Sequence, residues 1–157
     1  MKVLFKQRLF SWFDTYDIYR EDGQTLFTVR GKLSWGHKLV IEDASGQSLG
    51  MVKQVILTWL PRFDFFVGDQ FVGAIKKQLT LFKPSYILDF NGWQVSGNWM
   101  EWDYQIVSSN GSLVASVSKA LFHLTDHYEI DIVNPQDALL CLMIVLAIDA
   151  EKCSRND

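Results

Sequence analysis

Several things are scarce in this chain. Its 157 residues include only 2 cysteines, 3 prolines and 10 glycines. That excludes a disulfide scaffold, a collagen-like chain and a low-complexity linker. There is no basic excess: 15 Lys and Arg stand against 18 Asp and Glu, for a net charge of −3. Global charge therefore does not recruit nucleic acid, and no nucleic-acid partner is expected. No apolar run reaches bilayer length. The longest, Ala138 to Ile148, has 11 residues, whereas a spanning helix needs about 20. The opening Met1-Lys2-Val3-Leu4-Phe5-Lys6-Gln7-Arg8 spaces its charges too closely for a signal-peptide core. Catalytic signatures are missing as well. The sequence has no Gly-x-Ser-x-Gly, His-Glu-x-x-His, phosphate loop or Cys-x-x-Cys.

Large side chains are plentiful. Apolar residues make up 48% and aromatics 14%, with 6 Trp, 5 Tyr and 11 Phe. This composition fills a core unaided, and the length suits one domain, residues 1–157. Cys141 lies in the apolar run and Cys153 near its end. On one helix they are separated by roughly 18 Å, beyond disulfide reach, so a reduced, cytoplasmic setting is expected.

The chain reads as a repeat. Six segments begin with a small or polar residue, place a large apolar one at +1, and place aromatic or aliphatic ones at +5 and +7. They are Ser11/Trp12/Tyr16/Ile18, Ser34/Trp35/Leu39/Ile41 and Thr58/Trp59/Phe63/Phe65. Thr80/Leu81 follows, reaching Tyr86/Leu88 with one extra residue. A degenerate fifth, Trp99/Met100/Tyr104/Ile106, which starts on a large aromatic instead, and His123/Leu124/Tyr128/Ile130 complete the set. Their starts lie 23, 24, 22, 19 and 24 residues apart. Such a period marks a repeated supersecondary unit. Residues at +5 and +7 share one face of a strand, because side chains alternate. Turn chemistry separates the arms at Asp22-Gly23, Ser45-Gly46, Gly68-Asp69, Asn91-Gly92 and Asn110-Gly111. Two arms per unit give about twelve strands over residues 3–133.

The ending breaks the period. Asn134-Pro135-Gln136-Asp137 is a helix start, with a capping side chain, a first-turn proline and an acid near the positive dipole end. The run that follows has no polar face, so a helix over about residues 135–151 must be buried all round. A closed barrel of about twelve strands has a lumen too wide for side chains alone. A helix about 10 Å across fills it. The expected fold is all-β: a closed antiparallel barrel of about twelve strands around a central, hydrophobic C-terminal α-helix.

Lys6-Gln7-Arg8-Leu9-Phe10-Ser11, Val29-Arg30-Gly31-Lys32-Leu33-Ser34 and Val52-Lys53-Gln54 carry a likeness by which the chain resembles the LURP-one-related family of the tubby C-terminal-like superfamily. Ile75-Lys76-Lys77-Gln78-Leu79, Phe82-Lys83-Pro84, Asp103-Tyr104 and Val114-Ala115-Ser116-Val117-Ser118-Lys119 extend it. Tyr128-Glu129-Ile130-Asp131-Ile132 with the apolar ending is its most specific part. The resemblance spans essentially the whole chain and implies a twelve-stranded barrel around a C-terminal helix. Within the superfamily, tubby domains bind phosphoinositides and phospholipid scramblases act at membranes. No tubby lipid-binding motif is matched here residue by residue.

Candidate sites are few. His37, His123 and His127 read as turn or surface histidines without a nucleophile beside them. His123-x-x-Asp126-His127 has metal-like spacing only on a helix, and this stretch reads as a connection between strands. Glu101 and Asp103 are expected on one strand face, as solvated carboxylates. No catalytic, metal or cofactor residue is assigned. Trp12, Trp35 and Trp59 share a repeat position and are expected to pack together at one barrel end. The basic residues carry the remaining signal. Lys76, Lys77 and Lys83 flank one connection, and Arg30, Lys32 and Lys38 flank another. Gathered at one end, they would hold an anionic headgroup, each worth about 1 kcal/mol near an anionic bilayer. The expected role is a non-enzymatic binding or scaffold module, cytoplasmic and peripheral to membranes, for anionic phospholipid or phosphoinositide headgroups. A protein-interaction module is the alternative, and an unrecognised hydrolase ranks below both.

Overall fold

The computed structural model describes residues 1–6, 15–34, 36–78, 85–119 and 127–154. Twelve strands precede one long helix. They are β1 (Lys2–Lys6), β2 (Thr15–Arg20), β3 (Thr25–Ser34), β4 (Gly36–Asp43), β5 (Ser48–Gln54) and β6 (Arg62–Val67). The second half holds β7 (Gln70–Gln78), β8 (Ser85–Asp89), β9 (Gln94–Asn98), β10 (Asp103–Val107), β11 (Leu113–Lys119) and β12 (His127–Ile132). The helix, α1, spans Ala138–Ser154.

Every ladder is antiparallel, and chain neighbours pair almost throughout. β1 pairs with β12, from Lys2 opposite Asp131 to Lys6 opposite His127, so the first and last strands meet. The exception is β8 and β9. They are consecutive in the chain but lie at the two ends of the hydrogen-bonded order. The barrel is thus nearly closed rather than closed, with a seam between these strands where no ladder runs. Side chains bridge it instead: Tyr86 meets Trp99 edge to face at 4.7 Å, and Phe90 meets Trp93 at 5.3 Å. The Asn91-Gly92 turn is present, but it joins splayed strands.

The repeat pattern maps onto the wall. Ile18, Leu39, Ile41, Phe63, Phe65, Tyr104, Ile106, Tyr128 and Ile130, all at +5 or +7, are buried. Tight turns cluster at one end of the barrel. Gly23, Gly46, Gly68, Gly92 and Gly111 there adopt positive φ, the conformation such turns require. The opposite end carries the longer connections. Trp59, the +1 tryptophan of the third unit, corrects the expectation of a packed cluster: it is fully exposed. Trp12 and Trp35 lie outside the described residues. Glu101 also departs from expectation. It ends a short 3-10 turn, Trp99–Glu101, and Trp102 then takes a left-handed conformation before β10 begins at Asp103.

Asn134 caps the chain's turn into the lumen by accepting a hydrogen bond from the Gln136 backbone N–H at 3.1 Å. Pro135–Asp137 form a 3-10 turn, so the α-helix proper starts at Ala138 and runs on to Ser154, a little beyond the expected end. Every residue from Cys141 to Glu151 is buried. Burial raises the Cys141 thiol to about 12, leaving it an inert packing group. The helix runs close to β5. A Cβ at Gly50 would fall on the Met143 side chain and the Phe66 carbonyl, so only glycine permits this approach.

Leu142, 1% exposed, sits in the middle of this packing. Leu142→Asp puts an unpaired charge into the lumen and is expected to abolish folding. Loss of the cooperative thermal transition checks this; a variant melting like the parent would contradict the plugged barrel.

Candidate functional site

The end of the barrel with long connections gathers most of the chemistry. Two arrangements of charge lie there, one inside the mouth and one on the outer wall.

The inner one begins with strand alternation. Gly73 and Ile75 of β7 face the lumen opposite Phe65 and Phe63. Lys77, two residues on, therefore points inward too. Its ammonium meets the Glu151 carboxylate of α1 at 2.9 Å. Tyr86, directly across the ladder from Lys77, donates its hydroxyl to the other Glu151 oxygen. Glu151 is only 1% exposed and the Lys77 side chain 12%. Burial pushes the Glu151 carboxyl above its ordinary value, and the Tyr86 hydrogen bond acts in the opposite direction. Lys152 continues the clasp. Its Nζ donates to the Trp99 carbonyl at 3.3 Å and lies 4.4 Å from the centre of the Trp102 ring, which stacks on Tyr128. These contacts fasten the helix end to the wall. Lys77 is thereby engaged in the mouth rather than offered to the outside.

The outer arrangement comes from register. Lys32 of β3 lies directly opposite Lys38 of β4, and Lys38 lies directly opposite Lys53 of β5. Their strand neighbours Leu39 and Val52 are buried inward, so all three lysines share the outer face. Among the described residues none of the three has an ion-pair partner. Like charges directly opposite one another are destabilising by a few tenths of a kcal/mol to about 1 kcal/mol each. The next residue along this row, Asp64, faces Lys53. Its carboxylate accepts from Arg62 Nε at 2.8 Å. The other basic residues singled out from sequence are differently placed. Arg30 is held by Glu42 at 2.8 Å, and Lys76 lies 4.0 Å from the exposed Asp89. Lys83 lies outside the described residues. Lys38 flanks the same connection as Lys32 in the sequence, whereas Lys53 was not selected from sequence, because only the register aligns it with the other two.

Beside this row stands the connection from β5 to β6. Leu57 and Trp59 are fully exposed and Ile56 is 42% exposed. Behind it, a shallow recess of about 300 Å³ lies between Thr58, Trp59, Leu60 and Pro61 on one side and Arg62, Lys76 and Lys77 on the other. Gly36 lets the β3–β4 turn sit against this region. Its φ is +92°, and a Cβ there would come within 2.7 Å of the Gln54 carbonyl oxygen.

His37 is half-buried, and burial lowers its pKa, which favours the neutral ring. His127 lies in β12, whereas His123 and Asp126 fall outside the described residues. Among the described residues no three His, Cys, Asp or Glu side chains converge as metal ligands would, and no helix is long and apolar enough to cross a membrane.

The model of LURP-one-related proteins matches residues 1–149 of this sequence, all twelve strands and most of the helix that plugs them. The chain belongs to the LURP-one-related family. This LURP-one-related chain is 29% identical over 150 residues to YxjI of Bacillus subtilis (strain 168), a protein described only as uncharacterised. The match covers 95% of this chain and 92% of that one. A crystal structure of an Arabidopsis thaliana protein superposes with a TM-score of 0.67 at 17% identity, covering 96% of this chain and 90% of that chain. The likeness establishes a shared fold.

Two tests address the clasp. Lys77→Met leaves the Glu151 carboxylate buried without its cation and is expected to cost about 3–5 kcal/mol in denaturant unfolding. Adding Glu151→Leu to that variant is expected to restore much of the loss. The second test concerns Asp149, whose carboxyl burial pushes up to about 7 from an ordinary 3.8, while Lys152 pulls the other way. Between those values the unfolded chain releases a proton that the folded chain keeps. Stability therefore falls as pH rises through this range. Asp149→Asn is expected to flatten that slope, gaining stability over the parent near neutral pH and little near about pH 4. Melting temperatures across the range check it.

Proposed function

We propose that this LURP-one-related protein is a non-enzymatic binding module, acting as one unit over residues 1–157. Its ligand is an anionic headgroup at a phospholipid surface, with phosphoinositides included in that class. It works in the cytoplasm, peripherally to the membrane. The observation that carries this reading is the Lys32–Lys38–Lys53 row. Three lysines stand directly opposite one another on neighbouring strands, and the one acid at the end of their row, Asp64, is bonded to Arg62, so an external anion stabilises them. A single phosphate or a cluster of headgroups supplies that charge, and each lysine near an anionic surface contributes about 1 kcal/mol. Lys76 and Arg62, at the edge of the neighbouring recess, add two cations that they share with Asp89 and Asp64. The plug leaves the lumen filled, so the ligand belongs on the wall and barrel end rather than inside.

A protein partner is the second reading, favoured by the exposed Trp59, since aromatic anchors dominate protein interfaces. Salt separates the two. Co-sedimentation is run with neutral phosphatidylcholine vesicles and with vesicles containing phosphatidylserine or a phosphoinositide. The expected result is binding to the anionic vesicles only, weakening steeply as salt rises. Lys32→Ala/Lys38→Ala/Lys53→Ala is expected to reduce vesicle binding about a hundredfold, from three contacts at about 1 kcal/mol each. Its melting temperature should hold or rise as the like-charge row is relieved. Absence of binding to every vesicle, or equal binding by the triple variant, would remove the headgroup reading.

A further inference from the structure

We infer that the β5–β6 connection is a bilayer-inserting wedge, with Leu57 and Trp59 entering the boundary between headgroups and acyl chains while the lysine row stays at headgroup level. This rests on the membrane reading above and adds a penetrating element to it.

The first support is composition. Val55-Ile56-Leu57-Thr58-Trp59-Leu60-Pro61 contains no charge, yet Leu57 and Trp59 are fully exposed. Exposed apolar residues scattered singly need no explanation, but a contiguous group on one projecting loop does.

The second is rigidity. Leu57 has φ +64°, a left-handed conformation that a leucine rarely adopts. The loop is stapled at its base and across its tip. Val55 N–H donates to the Arg62 carbonyl at 3.0 Å, and Lys77 N–H donates to the Pro61 carbonyl at 2.9 Å. Thr58 Oγ1 donates to the Leu60 carbonyl at 2.8 Å. The fold thus holds two large apolar side chains outward at a conformational cost, instead of folding them against the wall.

The third is charge. Lys53 lies two residues before the loop begins, Arg62 directly follows it, and Lys76 faces Arg62 across the ladder. An apolar tip with three basic side chains at its base, Arg62 and Lys76 sharing their charge with Asp64 and Asp89, complements an anionic bilayer. The tip meets hydrocarbon at the depth where tryptophan is favoured, and the cations meet phosphates. A protein hot spot has the opposite requirement, a partner pocket for each side chain.

The test uses the full chain and vesicles of phosphatidylcholine with phosphatidylserine. Leu57→Asn/Trp59→Ser removes the apolar tip; asparagine tolerates the left-handed backbone. Both positions are fully exposed, so the variant is expected to melt like the parent, which a thermal scan verifies. The expected result is a drop in vesicle partitioning of at least about tenfold, with the residual binding more salt-sensitive than the parent's. With brominated acyl chains, tryptophan fluorescence of the parent should be quenched, and Trp59→Phe should lose most of that quenching. Parent binding with unchanged partitioning of the double variant would overturn the wedge and leave the lysine row standing as the contact. Failure of the parent to bind any anionic vesicle would overturn both.

Discussion

The helix α1 has no polar face, and that one constraint organises the molecule. A segment such as Cys141 to Ala150 is stable in water only if something covers it on every side. A sheet of twelve strands bent round on itself does so, and the helix in turn fills a lumen too wide for wall side chains alone. Neither part is complete without the other. The glycine at position 50 follows from this mutual fit, because the wall must come close enough to touch the helix on its β5 side. So do the devices at the mouth, where Lys77, Tyr86, Trp99 and Trp102 take hold of the helix as its sequence turns polar at Asp149, Glu151 and Lys152.

Most of this architecture was legible because it rests on short-range periodicity. Large apolar residues recur at +5 and +7, with a polar residue between them at Asp17, Asp64, Gln105 and Glu129, so they identify the inward face of these units without any knowledge of register. Ala138 to Ile148 declares a buried helix by its length and uniform hydropathy. The seam was not legible. Asn91-Gly92 is strong hairpin chemistry, and it forms its turn, but whether the flanking strands then pair depends on ring closure around the whole barrel. That is a global constraint which no local pattern reports.

Charge was read less well than hydrophobicity, for a related reason. Lys76 and Lys77 look like one cluster in sequence, but adjacent strand residues point to opposite faces. Lys77 follows Ile75 into the mouth, and the alternation alone was enough to predict it. Lys53 looks unrelated to Lys32 and Lys38 in sequence, yet register brings all three into one row. Trp59 shows the limit of arguing from repeats. A shared repeat position fixes where on the barrel a residue emerges, whereas the local backbone decides whether it turns in or out. At Leu57 that backbone is left-handed.

The pairing of β1 with β12 has a consequence for the order of events in making the protein. Synthesis proceeds from the first strand, so all twelve staves leave the ribosome before the segment that fills them. Until residues 138–154 follow, the lumen-facing aromatic and aliphatic side chains lack the helix they pack against, and β1, paired early with β2, waits beyond a hundred residues for its second neighbour, β12. Such long-range closure is slow relative to local hairpin formation. The nascent sheet is thus an open, sticky surface whose protection arrives last, and the stretch most dependent on assistance in the cell is the interval just before the helix emerges.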